Sequence, residues 1–310
     1  MNKETISKIL VMGLLAVAIF SACSRNADEQ VDELSLQVTE SLKNSSGKLF
    51  FAAQANSKDP YDIYFLNVET GKTYQLTDSG GEDIAPDFTG NSNLLVFSSN
   101  RGGSYDVYEM ALPDGGAERL TTASSDETEP RFSPDGSRVV FQSDGSGDYD
   151  ILTVDLKNGS ETRLTQEDSE ETQPSWSPDG SRLVFVSNRD GDFELFSMAA
   201  DGSSVEQLTE NDVYDAAPIW SPDGSRIAFI SKRGQHFQLF ILNLANGEES
   251  QATDTGTTVH SPTWSPDGRY IAYVSVAGSS CQINAYELAS GKSYLVANSY
   301  SKYSGLSWKE

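Results

Sequence analysis

Aromatic and β-branched residues occur along the chain in short bursts, with Gly, Pro, Ser and Asp clustered between them. Runs such as Arg226-Ile-Ala-Phe-Ile-Ser231 and Asp150-Ile-Leu-Thr-Val154 are too short for stable helices and are bounded by turn formers, so the pattern predicts many short strands. The bursts also repeat. Pro130-Arg-Phe-Ser-Pro-Asp-Gly136, Pro174-Ser-Trp-Ser-Pro-Asp-Gly180, Pro218-Ile-Trp-Ser-Pro-Asp-Gly224 and Pro262-Thr-Trp-Ser-Pro-Asp-Gly268 recur every 44 residues, and a degenerate copy opens at Pro86 with Phe88 in the aromatic slot. The same step relates Asp62, Asp106, Asp150, Glu194, Gln238 and Gln282. It also relates the Leu-Thr pairs at Leu76, Leu120, Leu164 and Leu208, and the aromatics Phe97, Phe141, Phe185, Phe229 and Tyr273. A period of this length marks an architecture in which each unit buries its apolar face only against its neighbours.

Each unit reads as four strands: a first through Pro-x-Trp-Ser, a second and a third as quoted above, and a fourth ending at Leu-Thr. That is a propeller blade. Ser-Pro-Asp-Gly joins the first two strands because Pro presets φ for a type I turn, Asp tolerates the next position and Gly takes the left-handed one. Its Asp is structural on this reading, the repeated aromatic packs between blades, and the acid or amide before the third strand orders a loop. The unit from Lys48 supplies only second, third and fourth strands, whereas Leu306-Ser307-Trp308, 44 residues after Pro262-Thr263-Trp264, supplies only a first. The chain is therefore expected to be an all-β, six-bladed β-propeller over 48–310, closed by one C-terminal and three N-terminal strands, which removes the open sheet edge.

Residues 1–22 read as a leader: Lys3 and Lys8 precede the apolar run Ile9–Phe20, which is too short to span a bilayer. Phe20-Ser21-Ala22-Cys23 resembles the lipobox of bacterial lipoproteins. The resemblance implies that Cys23 is acylated (a palmitate-bearing terminus) and becomes the first mature residue, with each buried CH₂ contributing about 0.8 kcal/mol to anchoring. Ser24 rather than Asp follows the Cys, which in enteric-type bacteria would favour outer-membrane sorting, facing the periplasm. Residues 23–47 then form a polar, acidic tether spanning about 25 Å if coiled; within it Val31, Leu34, Val38 and Leu42 fit a helical face, while Leu34, Leu36 and Val38 alternate as in a strand. Besides Cys23 there is only Cys281, so no disulfide forms within the chain.

With 22 Lys+Arg against 46 Asp+Glu the chain carries a formal net charge of −24, which excludes a nucleic-acid partner. A hydrophobic content of 37% still suffices for a real core.

The Trp-Ser-Pro-Asp-Gly blades ending in Leu-Thr resemble the WD40-like repeats of the TolB propeller, over about residues 48–310. TolB itself carries an additional N-terminal α/β domain, for which 24–47 leave no room. Blades of this type also occur in prolyl-oligopeptidase-like enzymes and oligogalacturonate lyases, so the resemblance implies fold more strongly than activity. Function in propellers sits on loops at the channel mouth. Three residues before the first-strand Pro stand Asp83, Glu127, Glu171 and Asp215, then Val259 and Tyr303; with Glu82, Asp126, Glu129 and Glu170 nearby, the acids suggest a mouth that binds a cation or a basic partner. A hard, oxygen-ligated Ca²⁺ would suit such ligands; the alternative is a solvated acidic rim. Thr128-Glu129-Pro130 is similar to the element through which TolB propellers contact the peptidoglycan-associated lipoprotein, which implies a partner of that kind. Catalysis finds little support: no Gly-x-Ser-x-Gly elbow occurs, and His236 and His260 are the only histidines. The expectation is a monomeric, lipid-anchored binding or scaffold module without catalytic residues. The competing reading is a glycan- or Ca²⁺-binding propeller acting as a lyase- or hydrolase-like enzyme or its accessory subunit.

Overall fold

Turn chemistry sets the blades. In Ser133–Gly136 the Gly136 N–H donates to the Ser133 carbonyl at 2.8 Å, while Asp135 accepts from the Ser133 hydroxyl at 2.6 Å and the Ser137 N–H at 3.0 Å. Those bonds hold the Asp135 carboxyl down at about 2. Gly136, Gly180, Gly224 and Gly268 all adopt φ between 68° and 71°, the left-handed region that the turn demands.

The computed structural model describes Leu42 and residues 45–89, 92–113 and 115–310. The expected leader, Cys23 and most of the tether lie outside these residues. The described strands form six four-stranded antiparallel sheets. We number the blades by their innermost strands: Asp83–Thr89 (blade 1), Glu127–Phe132 (blade 2), Glu171–Trp176 (blade 3), Asp215–Trp220 (blade 4), Thr258–Trp264 (blade 5) and Lys302–Lys309 (blade 6). Blade 6 is composite: the C-terminal strand pairs with Lys48–Gln54, followed by Asp62–Asn67 and Lys72–Gln75, in the predicted one-plus-three closure. Its ladder matches Lys48 with Lys309 and Leu49 with Trp308.

Burial peaks at the second strand of each blade and falls toward the outer edge. Second strands such as Arg182–Ser187 are covered on both faces and accordingly read as continuous apolar runs, whereas the outer strand Glu161–Arg163 is exposed throughout. The repeated aromatic packs between blades as expected: Phe132 meets Val96 and Val107 of blade 1, and Trp176 meets Val140 and Ile151 of blade 2. At the closing blade the buried Leu42 packs with Leu49, Val68 and Trp308. The Ser46 carbonyl accepts the Trp308 Nε1–H at 3.2 Å.

Candidate functional site

The six innermost strands surround a channel, and in each the residue before the proline position is left-handed. Ala85, Glu129, Gln173, Ala217, Ser261 and Gly305 have φ of 50°, 55°, 54°, 51°, 51° and 55°. The ladder slips at the same place, with Thr128 opposite Gln142 but Arg131 opposite Val140, so each strand bulges there. A left-handed L-residue costs about 1–2 kcal/mol, and at three of the six positions a neighbouring blade accepts a bond from the N–H. The Ala217 N–H donates to Gln173 Oε1 at 2.7 Å, the Gln173 N–H to Gln142 Oε1 at 2.8 Å, and the Gly305 N–H to Ser261 Oγ at 3.3 Å. At Gly305 only glycine fits, because a Cβ would lie 2.7 Å from Ala85 Cα.

This ring encloses a chamber of about 500 Å³, lined among others by Thr128, Glu129, Gln173, His260, Tyr105 and Tyr149. A second chamber of about 590 Å³ opens at the opposite mouth, among Trp176, Trp220, Trp264 and Trp308. Arg131, Ile219 and Leu306 line both and form the waist between them. His260 is pushed down to about 4 by burial and lies with Nδ1 3.0 Å from Ser261 Oγ, so it presents a neutral ring at neutral pH.

The candidate acids separate into two groups. Asp83, Glu127, Glu171 and Asp215 are each at most 1% exposed and do not line the chamber, so they form no charged rim. Each opens an innermost strand, where it lies directly opposite a Ser of the second strand. Asp83 accepts from Ser99 Oγ at 2.5 Å and Arg101 Nη2 at 2.8 Å; Glu171 accepts from Ser187 Oγ at 2.8 Å and lies 3.2 Å from Arg189 Nη2; Asp215 accepts from Asn211 Nδ2 at 3.0 Å. Glu82, Asp126 and Glu170 are likewise engaged, accepting the N–H of Tyr61, Tyr105 and Tyr149 at 2.9, 2.9 and 3.1 Å. Asp126, Thr128 and Glu129 line the chamber. Glu129 is 34% exposed in its side chain and sits 3.6 Å from Arg131. Among the described residues no cluster of three or more His, Cys, Asp or Glu is placed to hold a metal ion. Sequence reasoning missed Gln142, Gln173 and the tyrosines, which carry no signal beyond their place in the repeat.

Glu127 is pushed up to about 7, first by burial and then by the charges of Glu161 and Asp106, against the opposing pull of a Thr121 bond and Arg119. Its carboxyl ordinarily titrates near 4.5. The folded chain therefore holds this proton more tightly than the unfolded one, and the resulting stability is fully present below that ordinary value and lost as pH rises through about 7. Thermal melts of wild type and Glu127→Gln between about pH 5 and 8 should show the flatter pH dependence in the variant.

No curated protein matches the chain. Solved structures do. TolB from Acinetobacter baumannii is 20% identical, with a TM-score of 0.75 over 84% of this chain and 66% of that one, so the chain spans just under two-thirds of that protein. A TolB from Agrobacterium tumefaciens is 19% identical, with a TM-score of 0.67 over 84% and 94%. The oligogalacturonate lyase of Vibrio parahaemolyticus is 16% identical, with a TM-score of 0.55 over 81% and 74%. At these identities the likenesses speak for the fold, which lyases share with TolB. Residues 123–292, more than half of the chain and spanning blades 2 to 5, match the TolB beta propeller domain, and the protein belongs to that family.

Proposed function

We propose that the protein is a non-catalytic, protein-binding module of the bacterial envelope, held to the outer membrane through an acylated Cys23 and facing the periplasm. It captures its partner, an envelope protein of the peptidoglycan-associated lipoprotein kind, at the tyrosine-lined mouth. One observation carries the reading. Of the mouth residues singled out from sequence, Asp126, Thr128 and Glu129 line the chamber, and Glu129 is fixed there by a left-handed backbone and the waist arginine. A strained residue pinned by its surroundings is pre-organised, so little ordering cost is left to binding. The chamber wall offers hydroxyls, amides and aromatic rings, which suit a polypeptide surface. Its imidazole, His260, is neutral and bonded to its own neighbour, which supports binding over catalysis.

The test is a crosslinking pull-down from isolated envelopes. Glu129→Lys should lose its partner at least tenfold, about 1.4 kcal/mol, with unchanged thermal stability, because a half-exposed ion pair contributes under about 1 kcal/mol. Cys23→Ser in the same preparation should leave the membrane fraction. Full capture by the Glu129 variant would refute the mouth as the binding site.

A further inference from the structure

The chain has four tryptophans, and all of them, Trp176, Trp220, Trp264 and Trp308, border the chamber of about 590 Å³ at the mouth opposite Glu129. Pro178, Pro222 and Pro266 line it with them. A volume of this size is that of a ligand pocket, and filling it would take the indole and proline surface out of water. The N-terminal part of the described chain joins the ring at this same mouth. Leu42 is fully buried in one cluster with Tyr270 and Trp308, the Ser45 N–H donates to the Leu42 carbonyl at 2.8 Å, and the Ser46 carbonyl accepts from Trp308 Nε1 at 3.2 Å. Arg269 Nη2 donates to Ser45 Oγ at 3.4 Å, so the segment leans from blade 6 toward blade 5. Trp308 and Trp264 of those two blades border the chamber.

Just ahead of Leu42, outside the described residues, the sequence Val31-Asp-Glu-Leu-Ser-Leu-Gln-Val38 carries four apolar residues in eight. Residues 39–41 join it to Leu42, and three extended residues reach about 10 Å, enough to bring Val38 to the rim beside Trp308. Charge distinguishes the two mouths as hosts for this segment, which brings Asp32 and Glu33, with Asp28 and Glu29 before them. The tyrosine-lined chamber presents Asp126 and Glu129 and would repel it. At the tryptophan-lined chamber Arg131 and Lys309 join Asp87 and Glu310 in the wall. Arg138 and Arg226 lie over Trp176 and Trp264, 4.8 and 5.0 Å from the ring centres, so arginines gather where the acids of the segment would arrive.

We propose that residues 31–38 fold back and seat their apolar side chains in the tryptophan-lined chamber, a plug that the chain itself supplies. The plug is independent of what the opposite mouth binds and of whether Cys23 is acylated. It is favoured over an outside occupant because a segment joined to the rim by three residues acts at a roughly millimolar effective concentration.

The tryptophans make the test selective, because every indole N–H signal in the NMR spectrum of the full chain comes from the border of this chamber. In the full-length protein held in detergent, the double variant Leu34→Asp/Leu36→Asp should expel the segment and move the indole signals. Unfolding should stay cooperative, since Leu42 and the closing strand are untouched. A synthetic peptide of residues 29–41 should then return the signals of the variant to their wild-type positions in a saturable titration. Wild type, whose tethered copy competes, should need at least about tenfold more peptide for any response. Indole signals identical in wild type and variant, or an unsaturable response of the variant to the peptide, would overturn the proposal. Signals that move with protein concentration would place a second copy of the chain in the chamber and overturn it as well.

Discussion

A chain ending at Ser304 should lose its cooperative unfolding transition or melt at least about 10 °C below the full protein. The deletion removes Gly305–Glu310, and with it Leu306 and Trp308, which are 1% and 3% exposed. Loss of a buried Leu costs about 2–5 kcal/mol and of a buried Trp about 3–5 kcal/mol, against a total stability of about 5–15 kcal/mol. Bonds between separate parts of the chain go too: the Trp308 N–H to Thr263 Oγ1 at 3.2 Å, Ser307 Oγ to Asp87 at 2.7 Å and the Gly305 N–H to Ser261. What remains is an open ring whose Lys48–Gln54 strand, apolar and otherwise buried, presents a fresh edge. Circular dichroism melts with light scattering would check both consequences. An unchanged melting temperature would mean that the ring does not depend on this closure.

Asp87→Ala should cost about 3–5 kcal/mol, the range for breaking one side of a buried ion pair. Asp87 is 2% exposed at the junction of blades 1, 2 and 6. It accepts from the Phe132 N–H at 2.9 Å and Ser307 Oγ at 2.7 Å, and lies 3.3 Å from Lys309 Nζ. Burial by itself would raise its pKa, but Lys309, Arg131 and the two bonds outweigh that and hold it below the usual range. A lowered folded pKa contributes stability that is present above the unfolded pKa and lost as pH falls through the folded one. The difference between wild type and Asp87→Asn in urea unfolding should therefore be largest near neutrality and shrink in acid. Thr263 does with a hydroxyl in blade 5 what Asp87 does with a carboxylate, accepting the N–H of the next blade's aromatic position. Its replacement should be correspondingly milder.

The fold was legible because each repeat carries its own instructions: Pro-Asp-Gly fixes the turn, the apolar run fixes the second strand, and the 44-residue step fixes the register between them. The incomplete units at the two ends even disclosed the closure. The site was less legible, for two physical reasons. A residue before proline is biased toward extended backbone, so nothing in Ala85-Pro86 or Glu129-Pro130 announces a left-handed ring. The bulge it creates also breaks the alternation by which side-chain direction is read along a strand. Asp83 and Glu171 looked like free charges because their neutralising partners, Arg101 and Arg189, lie 18 residues away in sequence and meet them only across the ladder.

The bond from Trp308 to Ser46 also gives the molecule a direction. Trp308 borders the chamber opposite the one that holds Glu129, so the N-terminal segment joins the ring at the tryptophan-lined end. In a protein held from its N-terminal side, the tyrosine-lined end faces outward, away from the surface of attachment. Under the proposed attachment through Cys23 and the proposed binding at Glu129, tethering and recognition would occupy opposite poles of one axis, and a visitor would dock without displacing the leash.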